Sequence, residues 1–152
     1  MNKRSGLISI LVSAAILTWV AAAAPGGQKG PQPLPWTELA QLDYNTGKYP
    51  ASLGEKIAAK ETLVAGYVVP VEISDFDHIT DFLLVPAQFG CCQGPPPNPN
   101  QIIEVKLSEP VAFDKLMGTV QLTGKLGIAK GATGEFSFTL IKARVTPPEY
   151  DI

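Results

Sequence analysis

Five short runs rich in β-branched and aromatic residues, each bounded by proline, glycine or polar turn residues, limit what this chain can fold into. They are Thr62–Glu72 (TLVAGYVVPVE), Asp81–Val85 (DFLLV), Gln101–Leu107 (QIIEVKL), Thr119–Lys130 (TVQLTGKLGIAK) and Glu135–Val145 (EFSFTLIKARV). The last alternates most clearly, setting Phe136, Phe138 and Leu140 against Ser137, Thr139 and Ile141, the period of a half-buried strand. Glycine falls inside two of the runs, at Gly66 and Gly124, where a bend or bulge lets a strand curve. Pro70 places the end of the first run at a sheet edge, Pro86 stops the second, and Pro147-Pro148 close the last. Short strands that bend tend to curl on themselves. The expected fold is mostly β: a small five-stranded OB-like barrel, with an open sandwich as the alternative.

Short helices are expected before and within these strands. Trp36–Leu39 reads as one helical turn with Trp36 and Leu39 on a shared face. Ala51–Lys60 reads as a second, with Ser52 as its cap and Glu55 three residues on, a capping-box pattern. Phe113–Met117 reads as a third.

Lys3 and Arg4 precede an apolar run from Leu7 to about Ala23, and the small-residue stretch that follows offers an A-x-A site. This is the pattern of an export signal, with cleavage expected after Ala23. Membrane attachment is then expected only if the signal is retained uncleaved. Residues 24–35 (APGGQKGPQPLP) read as a flexible Pro/Gly tether, and residues 36–148 as a single domain. The leader carries two basic residues and no acidic ones, which leaves ten basic against fourteen acidic in the mature chain. That balance, without a basic cluster, argues against nucleic acid as a partner. One histidine and no acidic repeat argue against a calcium loop or a multi-histidine centre.

The chemistry-bearing feature is Cys91-Cys92, the only cysteines in the chain, within GCCQGPPPNPNQ (Gly90–Gln101). Neighbouring Cα atoms stand about 3.8 Å apart, below the roughly 4.4 Å minimum of an ordinary disulfide. A vicinal disulfide would be a strained ring, easier to reduce than a staple. In an oxidising compartment two exposed thiols need a reason to persist. They could bind a soft cation, copper(I) or zinc, with His78, Asp75, Asp77 or Glu72 completing the site. They could act as a redox switch, although the C-x-x-C spacing that lowers one thiol's pKa is missing. They could also be structural, one cysteine buried and the other filling the turn. Pro95, Pro96, Pro97 and Pro99 stiffen the loop, and Asn100 is expected to bond to backbone and pin the loop to the next strand. Contact between Asn100 and a ligand is the alternative. His78, beside Asp75 and Asp77, is expected to be a solvated polar patch rather than a pH sensor, and Trp36 and Tyr44 core or lid aromatics rather than a sugar platform.

The motif Cys91-Cys92-x-Gly94-x-x-Pro97-x-x-Asn100, followed by the apolar strand Ile102–Val105, resembles the signature of a bacterial domain-of-unknown-function family, DUF3299. Trp36 and Leu39, Asp43-Tyr44, and Gly66–Pro70 ahead of Phe82–Pro86 occur in the order such proteins show, so the resemblance covers about Trp36–Val145. It implies a small β-barrel, no assigned activity, mostly exported members, and an accessory role beside an export-type permease in some relatives. Together these readings predict a non-enzymatic, periplasmic or secreted binding module. It uses the Cys91–Asn100 loop, shaped by Gly94, Pro97 and Asn100, to hold a metal, a small ligand, or an envelope protein such as a transporter. A thiol redox protein and a purely structural interaction domain are the alternatives.

Overall fold

The computed structural model describes residues 30–71, 75–88 and 95–147. Its elements in order are β1 (Gln32–Pro33), α1 (Trp36–Leu39), α2 (Ala51–Ala58), β2 (Thr62–Val69), β3 (Ile79–Val85), β4 (Ile103–Val111), β5 (Thr119–Lys130) and β6 (Phe136–Thr146). Two 3-10 turns, Pro99–Gln101 and Phe113–Leu116, precede β4 and β5. The strands form one six-stranded sheet in the order β1-β2-β3-β4-β6-β5, and a further pairing of β2 with β5 closes the five strands β2 to β6 into a ring, with β1 beside β2 outside it. Five of these strands answer to the five runs. The sixth, β1, lies in the stretch expected as a tether: Gln32 and Pro33 pair parallel with Thr62 and Leu63.

The ring closes because β2 serves two partners in succession. Thr62 through Tyr67 pair with β5, and Tyr67 through Val69 pair with β3. Gly66 stands at the crossover, where an added Cβ would lie 2.7 Å from the Val85 carbonyl oxygen and 2.9 Å from Leu84 Cγ. Real side chains do not tolerate such distances, so the close approach needs glycine. Past Tyr67 only one side of β2 is paired, and Pro70 follows where no ladder bond is lost. β4 and β6 are parallel neighbours, while β2–β3, β3–β4, β5–β6 and β2–β5 are antiparallel.

The inward side chains of the ring form one core. Val64, Phe82, Leu84, Ile103, Val105, Leu122, Phe138 and Leu140 are buried, and Leu39, Leu42 and Leu53 from the N-terminal helices and their connection join the same cluster. Each such side chain stabilises the fold by roughly 1.5–3 kcal/mol through burial, which is why two short helices persist here that would not form alone.

β6 breaks its own alternation. Opposite β5 the register steps from Lys125↔Ile141 to Thr123↔Arg144, so Lys142 and Ala143 of β6 face the single residue Gly124. Lys142 takes φ +53, and the bulge leaves Ile141 and Lys142 both exposed while Ala143 returns to the core. A bulge of this kind bends the strand and increases its twist.

The capping box on α2 is not formed. Pro50, extended at φ −71, precedes the helix, no side chain caps it, and Ser52 lies within its first turn. Placing Leu53 fully in the core sets the helix phase ahead of a Ser52 cap. The opposite end is held instead by Lys125, whose ammonium donates to the carbonyls of Ile57 at 2.7 Å and Ala59 at 2.6 Å. A cation at a helix C-terminus satisfies orphan carbonyls and opposes the helix dipole.

Candidate functional site

The loop between β3 and β4 is built from its stem. Cys91, Cys92 and Gly94 lie outside the described residues, as do Glu72 and Ala23; the stem from Pro95 to Gln101 is described. Pro97 is half-buried in irregular backbone, and Pro99 opens the 3-10 turn. The turn is closed from both sides: the Gln101 N–H donates to the Asn98 carbonyl at 2.8 Å, and the Asn98 N–H donates to Gln101 Oε1 at 3.2 Å. Gln101 thus has a structural task that its place in the motif did not announce.

Asn100 is buried at 8% exposure and spends both amide hydrogens on main chain, donating to the carbonyls of Ala40 at 3.0 Å and Leu42 at 2.9 Å. The sequence predicts a bond that pins the loop to the following strand. The partners of Asn100 lie instead 60 and 58 residues upstream, in the chain leaving α1. Carbonyls at a helix end have no intrahelical donor, and the Asn100 amide supplies one to each. The cysteine loop is therefore clamped at its stem to the N-terminal segment.

That segment is itself fixed. Asp43 accepts from the Asn45 and Thr46 N–H groups at 3.0 and 3.2 Å and from the Thr46 hydroxyl at 2.6 Å. The Thr46 hydroxyl, with the two amides, holds the Asp43 carboxyl below the usual carboxylate range. Next to it, the Tyr44 carbonyl accepts from the Phe136 N–H at 2.7 Å, tying the turn to β6. Trp36 is half-buried against the core and its indole N–H donates to the Ala65 carbonyl at 2.6 Å. On the same helix, Glu38 Oε2 is buried without a hydrogen-bond partner among the described residues.

His78 lies just before the start of β3. Its side chain is 67% exposed, with Nδ1 at 2.9 Å from Asp75 Oδ2. The Asp77 N–H, followed by His78, holds the Asp75 carboxyl below its ordinary value. His78 immediately precedes β3, and Gln88 lies past its far end, so a seven-residue strand separates His78 from the start of the 89–94 segment. Such a strand is about 20 Å long. Among the described residues no three His, Cys, Asp or Glu side chains are grouped to hold a metal ion, and no helix is long and apolar enough to cross a membrane.

A cavity of about 430 Å³ opens where the parallel strands separate beyond the pair Leu107↔Ala143. Leu107, Val111, Val145 and Pro147 give it apolar walls, and Glu109 and Lys115 bring opposite charges to its lining. The Ser108 hydroxyl donates to the Ala143 carbonyl at 3.1 Å, closing the inner end. The volume falls within the range of small-ligand sites.

The family model of a protein of unknown function, DUF3299, matches residues 36–147. The chain belongs to the DUF3299 family. The matched stretch of this DUF3299 protein runs from α1 to the end of β6, and so contains the Asn100 clamp, the cysteine pair and the β4–β6 cavity. The protein is also similar to the crystal structure of a DUF3299 family protein from Pseudomonas aeruginosa PAO1, with 27% sequence identity and a TM-score of 0.54. That likeness covers 81% of this chain and 99% of the other. No curated protein matches the chain.

Proposed function

We propose that this DUF3299 protein is a non-enzymatic binding module, exported to the periplasm after cleavage at Ala23, that uses a small OB-like barrel to present the Cys91–Asn100 loop. The ring order, with one parallel pair among antiparallel neighbours and β2 shared between two partners, supports the barrel reading. The observation that carries the functional reading is the clamp. Asn100 ties the loop stem to the carbonyls of Ala40 and Leu42, and four prolines follow the cysteines closely. A stem ordered beforehand lowers the entropic cost of binding, and loops carried on rigid scaffolds are where binding residues concentrate. The ligand is a soft cation, copper(I) or zinc, held by the two thiolates with further donors, and the loop serves an envelope partner of transporter type.

Intact mass with thiol counting on protein taken from the periplasm tests this directly. Two free thiols, together with added metal mass that chelator and denaturant remove, support the metal reading. A mass about two units light with no free thiol means a vicinal disulfide and sinks it in favour of a redox switch or a structural ring. Finding the leader still attached would overturn the cleavage.

A further inference from the structure

The β6 bulge assembles a basic pocket that neither the cysteine loop nor the β4–β6 cavity uses. A cavity of about 280 Å³ lies where the end of α2 meets the β5–β6 pair, lined by Lys60, Glu61, Gly124, Lys125, Ile141 and Lys142. Its one acid is already engaged, since Glu61 Oε1 accepts from Arg144 Nη2 at 2.8 Å. Three ammonium groups are left without a carboxylate partner among the described residues. Lys125 gives two of its hydrogens to the α2 carbonyls, and an ammonium has three.

The backbone favours keeping this arrangement. Lys142 is the sole non-glycine residue at positive φ among those described, a region that lysine seldom enters. Beneath it, a Cβ on Gly124 would lie 3.0 Å from the Ile141 carbonyl oxygen and 3.1 Å from Ala143 Cα. The chain therefore puts glycine at the pinch and lysine at the position where glycine would be easiest. Strained backbone clusters at ligand sites, and a concave patch of one sign raises the local concentration of opposite charge.

We propose that this pocket binds a phosphate-bearing anion through Lys60, Lys142 and the remaining hydrogen of Lys125, the phosphate belonging to a soluble polyphosphate or to a lipid headgroup. Calorimetry of the full chain with inorganic pyrophosphate, and sedimentation with phosphatidylglycerol against phosphatidylcholine vesicles, distinguishes the two sources. Binding to either phosphate probe is expected to weaken about tenfold in Lys142→Gly and in Lys60→Gln, while Lys115→Gln, outside the pocket, binds normally. Lys142→Gly relieves the backbone, so its melting temperature should hold or rise, which separates lost binding from lost folding. The proposal fails if neither probe binds, or if Lys115→Gln weakens binding as much as the pocket variants do.

Discussion

Trp36 and Gly66 occupy complementary space: the indole Cζ2 lies 3.1 Å from where a Cβ on Gly66 would stand, and the indole N–H bonds the Ala65 carbonyl at 2.6 Å. This contact holds α1 against the ring next to Tyr67, the residue at which β2 changes partners. Gly66→Ala would push both the indole and the Val85 carbonyl away, and overpacking of this kind costs roughly 1–3 kcal/mol. Denaturant unfolding should show a lower midpoint of that size. Trp36→Phe, which keeps a ring but loses the donor, should cost less, about 1 kcal/mol.

The Asn100 clamp predicts an order among substitutions. Asn100→Ala leaves the Ala40 and Leu42 carbonyls without this donor and should cost roughly 2–3 kcal/mol in chemical unfolding. Asn100→Asp should be worse at neutral pH, because a carboxylate would face two carbonyl oxygens in a buried site. The gap between the two variants should narrow in acid, where the introduced carboxyl is protonated and regains a donor. Equal losses at both pH values would mean that the side chain acts through its volume alone.

For His78, exposure predicts a small effect on stability. It is exposed and stands before β3, whereas the 89–94 segment begins beyond that strand's other end. His78→Ala should change stability by no more than about 0.5 kcal/mol, as exposed substitutions usually do. It should also leave unaltered any metal bound through Cys91. Loss of that metal in His78→Ala would show that the two come together in the bound state.

Much of the fold was readable because each strand carries its period or its punctuation. Thr119–Lys130 begins and ends where the sequence places it, and Pro86 stops β3 at Val85 as its missing N–H requires. Gly66 and Gly124 marked two close approaches to neighbouring backbone, although a curved strand and a bulge look alike in one dimension. Other features depended on contacts across the fold. Lys125 reads as an outward-facing polar residue of an alternating strand, and nothing near it in sequence shows that it caps a helix 66 residues away. The Asn100 clamp could be expected as a side-chain-to-backbone bond, but its partners were set by where α1 docks. Lys142 gave no sign of its conformation, because the alternation up to Ile141 is regular and a lysine seldom signals positive φ.

Lys125 and α2 allow a test of helix capping across the sheet. The ammonium bonds the Ile57 and Ala59 carbonyls, and hydrogen bonds to charged groups contribute about 1.5–3 kcal/mol. Lys125→Met preserves the packed stem and removes both bonds. It should lower unfolding free energy by roughly that amount, with faster amide exchange in the last turn of α2 before global unfolding.

Acid should loosen the turn at Asp43 before it unfolds the core. In the folded chain the Thr46 hydroxyl and the Asn45 and Thr46 amides hold the Asp43 carboxyl below its ordinary value. In the unfolded chain they do not, so the unfolded state takes up a proton first as pH falls. The stabilisation is therefore complete above the ordinary carboxylate value and disappears as pH drops through the lower, folded one. Protection of the Asn45 and Thr46 amides, relative to their intrinsic exchange rate at each pH, should fall across that window, while the Phe138 amide within the core stays protected. Thr46→Val removes the largest of these influences, so the Asp43 carboxyl should titrate at higher pH in its NMR signal, and the onset of turn opening should move up with it. If Asp43 titrates at the same pH in both proteins, the hydroxyl bond is not what holds the carboxylate.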